Sequence, residues 1–271
     1  MKPILIFIVS LWTAAVCALG LGNLDPALAA VDAFQPTQMP GLKLWLDANR
    51  ITATNGATVG KWDDFSGESF NFLGYTGAVL NATMLAGRPA VVFGGLNSGL
   101  TNANPLVKST NSGSVACVLV VRTVAASQYQ TIIGQSAGPS RGFSLLPQAF
   151  PEAGPRFATD IFAPGGIRNT VTSVTNTPYV VIFSWTNWVS QKSGGFYIMI
   201  NGVLQSVEGY GSALTTVDQG PTGIGCWPPG TALSHFRGAI SEIIYTTNAL
   251  SGRWATDCSR YLGGKYGIVV Q

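Results

Sequence analysis

Apolar and polar positions are most informative at residues 195–207, GFYIMINGVLQSV, where two apolar runs flank Asn201-Gly202. An Asn-Gly pair is the strongest short hairpin signal, because a type I′ turn needs φ > 0 at both central residues. A two-residue turn fixes the register, setting Ile200 opposite Val203, Ile198 opposite Gln205 and Phe196 opposite Val207. That face is apolar except at Gln205. The other carries Tyr197, Met199, Leu204 and Ser206 and is only partly polar. A hairpin apolar on both faces predicts an interior place in a large antiparallel sheet.

The same periodicity continues along the chain. Leu42, Leu44 and Leu46 alternate with Lys43, Trp45 and Asp47, which predicts a strand over 41–48. Residues 115–124 and 179–185 are β-branched apolar runs of strand length, 130–135 and 142–146 are shorter ones, and 147–155 and 163–166 read as Pro/Gly loops. One helix is predicted near the end. Ser251 serves as its N-cap, Trp254, Cys258, Tyr261 and Leu262 lie along one face, and Gly263-Gly264 stops it.

Residues 1–30 break the pattern. Lys2 precedes an apolar run over 4–22, and Ala27-Leu28-Ala29 supplies a small-x-small site. This is the layout of a secretory signal peptide cleaved after Ala29 or Ala30, so the expected location is extracellular. The alternative is a retained membrane or virion-surface anchor, since residues 4–22 nearly reach spanning length. Residues 31–40 form a polar lead-in, and residues 41–271 a single β domain.

Composition narrows the class. Only 10% of the 271 residues are charged, and the mean hydropathy is +0.29, which excludes a disordered chain. The net charge of +3 comes without any Lys/Arg cluster, which excludes a nucleic-acid stripe. With one histidine and no C-x-x-C, a structural zinc site is excluded as well. Of the four cysteines, Cys17 falls in the leader and Cys117 reads as a small buried hydrophobe. If any disulfide forms, it joins Cys226 and Cys258.

Three motifs stand in order in the first half: Gly41-Leu42-Lys43-Leu44-Trp45-Leu46-Asp47-Ala48, Val59-Gly60-Lys61-Trp62-Asp63-Asp64-Phe65-Ser66-Gly67, and Gly87-Arg88-Pro89-Ala90-Val91-Val92-Phe93. Together with the Asn201-Gly202 hairpin, Phe236-Arg237-Gly238-Ala239-Ile240 and Tyr261-Leu262, they resemble the concanavalin A-like lectin/glucanase superfamily, of the laminin G type found in bacterial secreted and phage structural proteins. The resemblance spans 41–268 and implies an all-β fold, a two-sheet antiparallel β-sandwich (jelly roll) with a short C-terminal α-helix. It does not fix function.

For catalysis, the glucanases of this superfamily carry their acids as Glu-x-Asp-x-x-Glu, a run this chain lacks. Glu242 reads as structural, and His235 has no nucleophile elbow beside it. The expectation is therefore that the chain is not an enzyme. Laminin G-type domains often hold calcium, and Asp63, Asp64 and Ser66 are the oxygen donors in place for it. The acidic positions usual after the Arg-Pro-x-Val strand are replaced by Phe93-Gly94-Gly95-Leu96-Asn97-Ser98, so an Asx turn at Asp64 is favoured over a metal. Sugars stack on loop aromatics, which selects Trp188 with Asn187, Trp227 and Tyr210 as ligand-binding residues. The expected function is a non-catalytic recognition or adhesion module that binds a glycan or cell-surface partner. The alternatives are a structural or decoration protein of a phage or virus, and a divergent glycan hydrolase or lyase.

Overall fold

The computed structural model describes residues 34–95, 98–108, 112–122, 130–138, 141–150, 154–161, 165–169, 175–186, 195–211, 219–228 and 235–271. Residues 1–33, which hold the expected leader and the first three residues of the lead-in, lie outside them. The strands pack as two sheets of a β-sandwich, as the alternating pattern requires. Numbered along the chain, the first sheet runs β14 (Val203–Gln205), β13 (Gly195–Ile200), β12 (Pro178–Thr186), β7 (Ser112–Val121), β17 (Arg237–Thr246), β5 (Arg88–Gly94) and β4 (Val79–Leu85). The eighth strand described in this sheet, β1 (Leu42–Asp47), pairs with the second half of β17, while β5 pairs with the first half. A register shift between Ile240 and Glu242 marks the changeover.

The second sheet runs β15 (Val207–Gly211), β11 (Gly165–Asn169), β10 (Gly154–Ile161), β9 (Arg141–Phe150), β8 (Ile133–Gly138), β16 (Thr222–Ile224), β6 (Gly99–Asn102), β3 (Phe72–Thr76) and β2 (Lys61–Trp62). Residues 147–150 and 154–155, read from sequence as loop, are strand. Pro147 pairs with Phe157 in β10, and the β8 ladder reaches β9 only as far as Leu145. The proline therefore sits where β9 has lost one neighbour and its missing N–H costs no ladder bond.

The core lies between the sheets. Val115, Cys117, Leu119 and Val121 of β7 enter it as an unbroken alternation, with Trp62, Phe72, Phe157, Trp185 and Tyr245 among the largest members. Each large side chain so buried contributes about 1.5–3 kcal/mol.

The hairpin turn forms as its sequence dictates. Asn201 has φ 49° and Gly202 φ 80°, with Ile200 opposite Val203 and Ile198 opposite Gln205. Its location differs from the interior place predicted. β14 is an edge strand, with Leu204 63% exposed, and beyond Ser206 the chain enters the other sheet as β15, where Val207 pairs with Asn169 rather than Phe196. Val207 packs on the core from there. A second short link, Gly77-Ala78, carries the chain from β3 to β4 on the opposite side of the sandwich.

The helix, α1 (Arg253–Tyr266), lies on the outer face of the first sheet, against β12 and β7. It departs from the prediction at both ends. Its N-cap is Gly252, without a side-chain cap, and it runs through Gly263-Gly264 to a left-handed Gly267 (φ 64°). Gly263 serves packing instead: a Cβ there would meet the Ile268 carbonyl at 2.7 Å and Val270 at 2.6 Å, so the tail crosses the helix where a side chain is missing. Ala255, Cys258, Ser259, Leu262 and Tyr266 form the buried stripe. Trp254, predicted to share a face with Cys258 and Leu262, is off that stripe and 38% exposed.

Candidate functional site

A cavity of about 480 Å³ is built from five chain segments. β1 contributes Lys43, the β2–β3 loop Glu68 and Phe70, and the loop after β6 Asn104, Leu106 and Lys108. The facing ends of β7 and β17 contribute Ser112, Tyr245 and Thr247. Tyr245 and Leu106 are buried and form the floor. Asn104 and Lys108 are exposed and form the rim, with the half-exposed ion pair of Lys43 with Glu68 (2.5 Å) beside them. Tyr245 is 1% exposed, its ring stacks on Trp185, and its hydroxyl makes no hydrogen bond among the described residues. Burial alone pushes this phenol up, so it stays protonated and able to donate.

The walls are pinned from behind. Gln135 in β8 accepts from Val107 N (2.7 Å) and donates to Val107 O (2.7 Å), while the Thr222 hydroxyl accepts from Leu106 N (3.0 Å) and donates to Asn104 O (3.0 Å). These buried bonds hold the Asn104–Lys108 wall to the second sheet. On the opposite wall, Ser112 Oγ donates to Thr247 O at 2.7 Å.

The Asp64 turn sets the remaining wall. Asp64 Oδ1 accepts from Trp45 N and Ser66 N, both at 2.9 Å. Oδ2 accepts from Ser66 Oγ at 2.8 Å and from Phe70 N at 2.9 Å. Four donors take up the carboxylate's lone-pair sites, and one of them places Phe70 at the cavity. Asp63 is on the surface, paired with Lys61 at 2.5 Å. Asp64 and Ser66 thus bond each other. Among the described residues no three His, Cys, Asp or Glu side chains gather to hold a metal.

A second polar cluster lies beneath α1. Asp47 and Glu242 are directly opposed across β1 and β17. Lys265 of the helix bridges them, at 2.8 Å to Asp47 Oδ2 and 2.6 Å to Glu242 Oε2. Glu242 Oε2 also accepts from Tyr266 (2.9 Å), and its Oε1 from Trp45 Nε1 (2.7 Å) and Tyr261 (3.2 Å). Glu242 is 0% exposed. Burial pushes its carboxyl up, Lys265 pulls it back, and Asp47 adds to the rise. Trp45 joins the two networks, giving its backbone N–H to Asp64 and its indole N–H to Glu242.

Of the sequence-selected ligand residues, only Trp227 has a described side chain, and it is not among the described residues that line the cavity. Asn187 and Trp188 lie outside the described residues. Tyr210 is in β15, at the sheet edge, where it pairs with Gly166. Trp227 is half-buried in the turn after β16, beyond the end of that strand opposite Thr222 and the cavity wall. That turn folds onto its own strand, since a Cβ on Gly223 would meet the Cys226 carbonyl at 2.6 Å. The proposed disulfide is corrected as well. Cys226 and Cys258 are free and buried, because Cys226 follows β16 in the second sheet whereas Cys258 sits on α1 outside the first. Burial pushes the Cys226 thiol up to about 12. The cavity residues that sequence reasoning missed, Phe70, Leu106, Lys108 and Tyr245, come from three separate segments. The one local signal was Asp64, whose turn chemistry leads to Phe70.

No protein-family model and no curated protein matches the chain. Solved structures do resemble it. Domain 4 of AbnA, a GH43 extracellular arabinanase from Geobacillus stearothermophilus solved in complex with arabinotriose, shares 18% identity at a TM-score of 0.57, over 80% of this chain and 98% of that domain. A Trypanosoma rangeli sialidase shares 13% identity at 0.55, over 85% of this chain and 34% of its own. The binding domain of Paraclostridial Mosquitocidal Protein 1 shares 12% at 0.54, over 85% and 53%. The chain thus spans about a third of the sialidase and about half of the mosquitocidal binding domain's chain. At these identities the likeness establishes the sandwich fold and leaves the laminin G assignment a resemblance.

One expectation falls here. The missing Glu-x-Asp-x-x-Glu run predicts a chain that is not an enzyme. Sandwiches of this kind occur within an arabinanase and a sialidase, both enzymes, so a motif belonging to one branch of the fold does not exclude enzymatic character.

Proposed function

We propose that the chain binds glycans and that the Tyr245 cavity is the binding site. The observation that carries this is the floor: a buried, donor-competent Tyr245 hydroxyl without a hydrogen-bond partner among the described residues, in a cavity of about 480 Å³. A preformed concave site with few polar groups converging on it is what small-molecule recognition requires. Phe70 offers an aromatic face for a sugar ring, and Asn104, Lys43 and Glu68 offer donors and acceptors for its hydroxyls. The arabinotriose bound to the similar arabinanase domain supports the reading. Export through residues 1–30 belongs to the same proposal, and sequencing the N-terminus of the secreted protein checks it.

The test is titration calorimetry against a glycan panel that includes arabinotriose. Phe70→Ala weakens the best ligand about tenfold, and Tyr245→Phe weakens it about three- to tenfold through one lost hydrogen bond. Trp227→Ala serves as the comparison. A panel without any binder, or an affinity that falls with Trp227→Ala and not with the cavity substitutions, overturns the assignment.

A further inference from the structure

We propose that the glycan is acidic, and that Lys108 at the cavity rim receives a sugar carboxylate of the uronic-acid class. This rests on the glycan-binding reading above and adds a charge to it.

Two lysines and one acid line the cavity. Lys43 is already paired with Glu68, whereas Lys108 is exposed and has no acidic partner among the described residues. The surrounding chain cannot supply one nearby in sequence. Between Glu68 and Glu152 there is no Asp or Glu at all, while Arg88, Lys108, Arg122 and Arg141 fall in that stretch. Among the described residues the rim therefore keeps one positive charge without an acidic partner. It sits on a wall that the Gln135 and Thr222 bonds hold to the sheet, so the backbone beneath Lys108 is fixed in advance of binding.

The ligand geometry follows from the two donors. Tyr245 offers a buried O–H from the floor and Lys108 an ammonium from the rim, two donors with no acceptor among the described residues. A neutral sugar satisfies the floor but leaves the rim charge to water. A uronic acid adds a charge-assisted hydrogen bond to Lys108 while its ring hydroxyls meet the floor. The rim already shows the contact type, since Glu68 seats a carboxylate on Lys43 at 2.5 Å.

The test compares trigalacturonate with the uncharged galactotriose of the same linkage, together with a sulfated oligosaccharide, by calorimetry at low and high salt. Trigalacturonate binds about tenfold more tightly than galactotriose, as one charged hydrogen bond provides, and loses that margin at high salt. Lys108→Gln lowers trigalacturonate to the level of galactotriose. Arg88→Gln, which removes an exposed cation outside the cavity, leaves the margin in place. Equal affinity of the two sugars in the wild type, a margin insensitive to Lys108→Gln, an equal loss with Arg88→Gln, or preference for the sulfated probe overturns the uronate assignment while leaving glycan binding standing. Failure of every sugar to bind removes both.

Discussion

Lys265→Met isolates one cation between two opposed carboxylates. Asp47 and Glu242 stand directly across β1 and β17, with side chains 5% and 0% exposed, and Lys265 bonds both at 2.8 and 2.6 Å. Methionine keeps most of the stem's packing and removes the charge. Deleting one partner of a buried ion pair costs about 3–5 kcal/mol. For a domain of this size that lowers the melting midpoint by about 6–20 °C. Lys43→Met, at the half-exposed pair with Glu68, costs at most about 1 kcal/mol, because both ions keep most of their hydration. The pH dependence follows from Glu242, whose carboxyl burial raises above its ordinary value. A carboxyl raised in the folded state holds its proton more tightly folded than unfolded. Its contribution to stability therefore falls as pH rises from the ordinary carboxylate value to the folded one, and returns as pH is lowered. Without Lys265 the rise is greater, so the variant recovers part of its loss on acidification from neutral to about pH 5. Thermal unfolding of the wild type and both variants at the two pH values is the assay. A Lys265→Met protein melting within about 2 °C of wild type at neutral pH, or one whose deficit grows on acidification, refutes the account of a buried bridge.

Two further outcomes follow from the same structure. Asp64→Ala removes the acceptor for four donors, costing about 2–4 kcal/mol and loosening Phe70 enough to weaken glycan affinity; chelator leaves the wild-type melting midpoint unchanged, and a midpoint that fell with chelator and returned with calcium would contradict the turn assignment. Cys117, Cys226 and Cys258 are buried thiols that react with a thiol reagent only after unfolding, in equal number with and without prior reduction; a Cys226–Cys258 peptide in a non-reducing digest would contradict the free assignment.

The sequence made local geometry legible and left placement across the layers open. Asn201-Gly202 determined its own turn and two cross-strand pairs, since both depend on residues close in the chain. Which sheet received Val207 depended on β11, some forty residues earlier, and no period-two pattern records that. Gly263-Gly264 looked like a helix stop because glycine is a poor helix former. The tail's approach over Gly263 offset that cost. Asp64 was readable as a turn former, yet its value to the cavity lies in the Phe70 N–H, six residues on. Tyr245 was the hardest case. In sequence it closes an apolar strand like any core aromatic, and only the packed structure shows its hydroxyl left over at the foot of a cavity.

The two links at Ser206 and Gly77-Ala78 join the layers at opposite margins, β14 to β15 and β4 to β3. Two stacked sheets held by side chains alone can shear past each other like loose cards. Here each margin carries a covalent hem of one or two residues, too short to let the layers slide by a strand spacing. Mechanically the sandwich is a sewn sleeve. A load applied to one sheet passes to the other through the backbone at both seams, so the layers move together under tension until a seam strand peels.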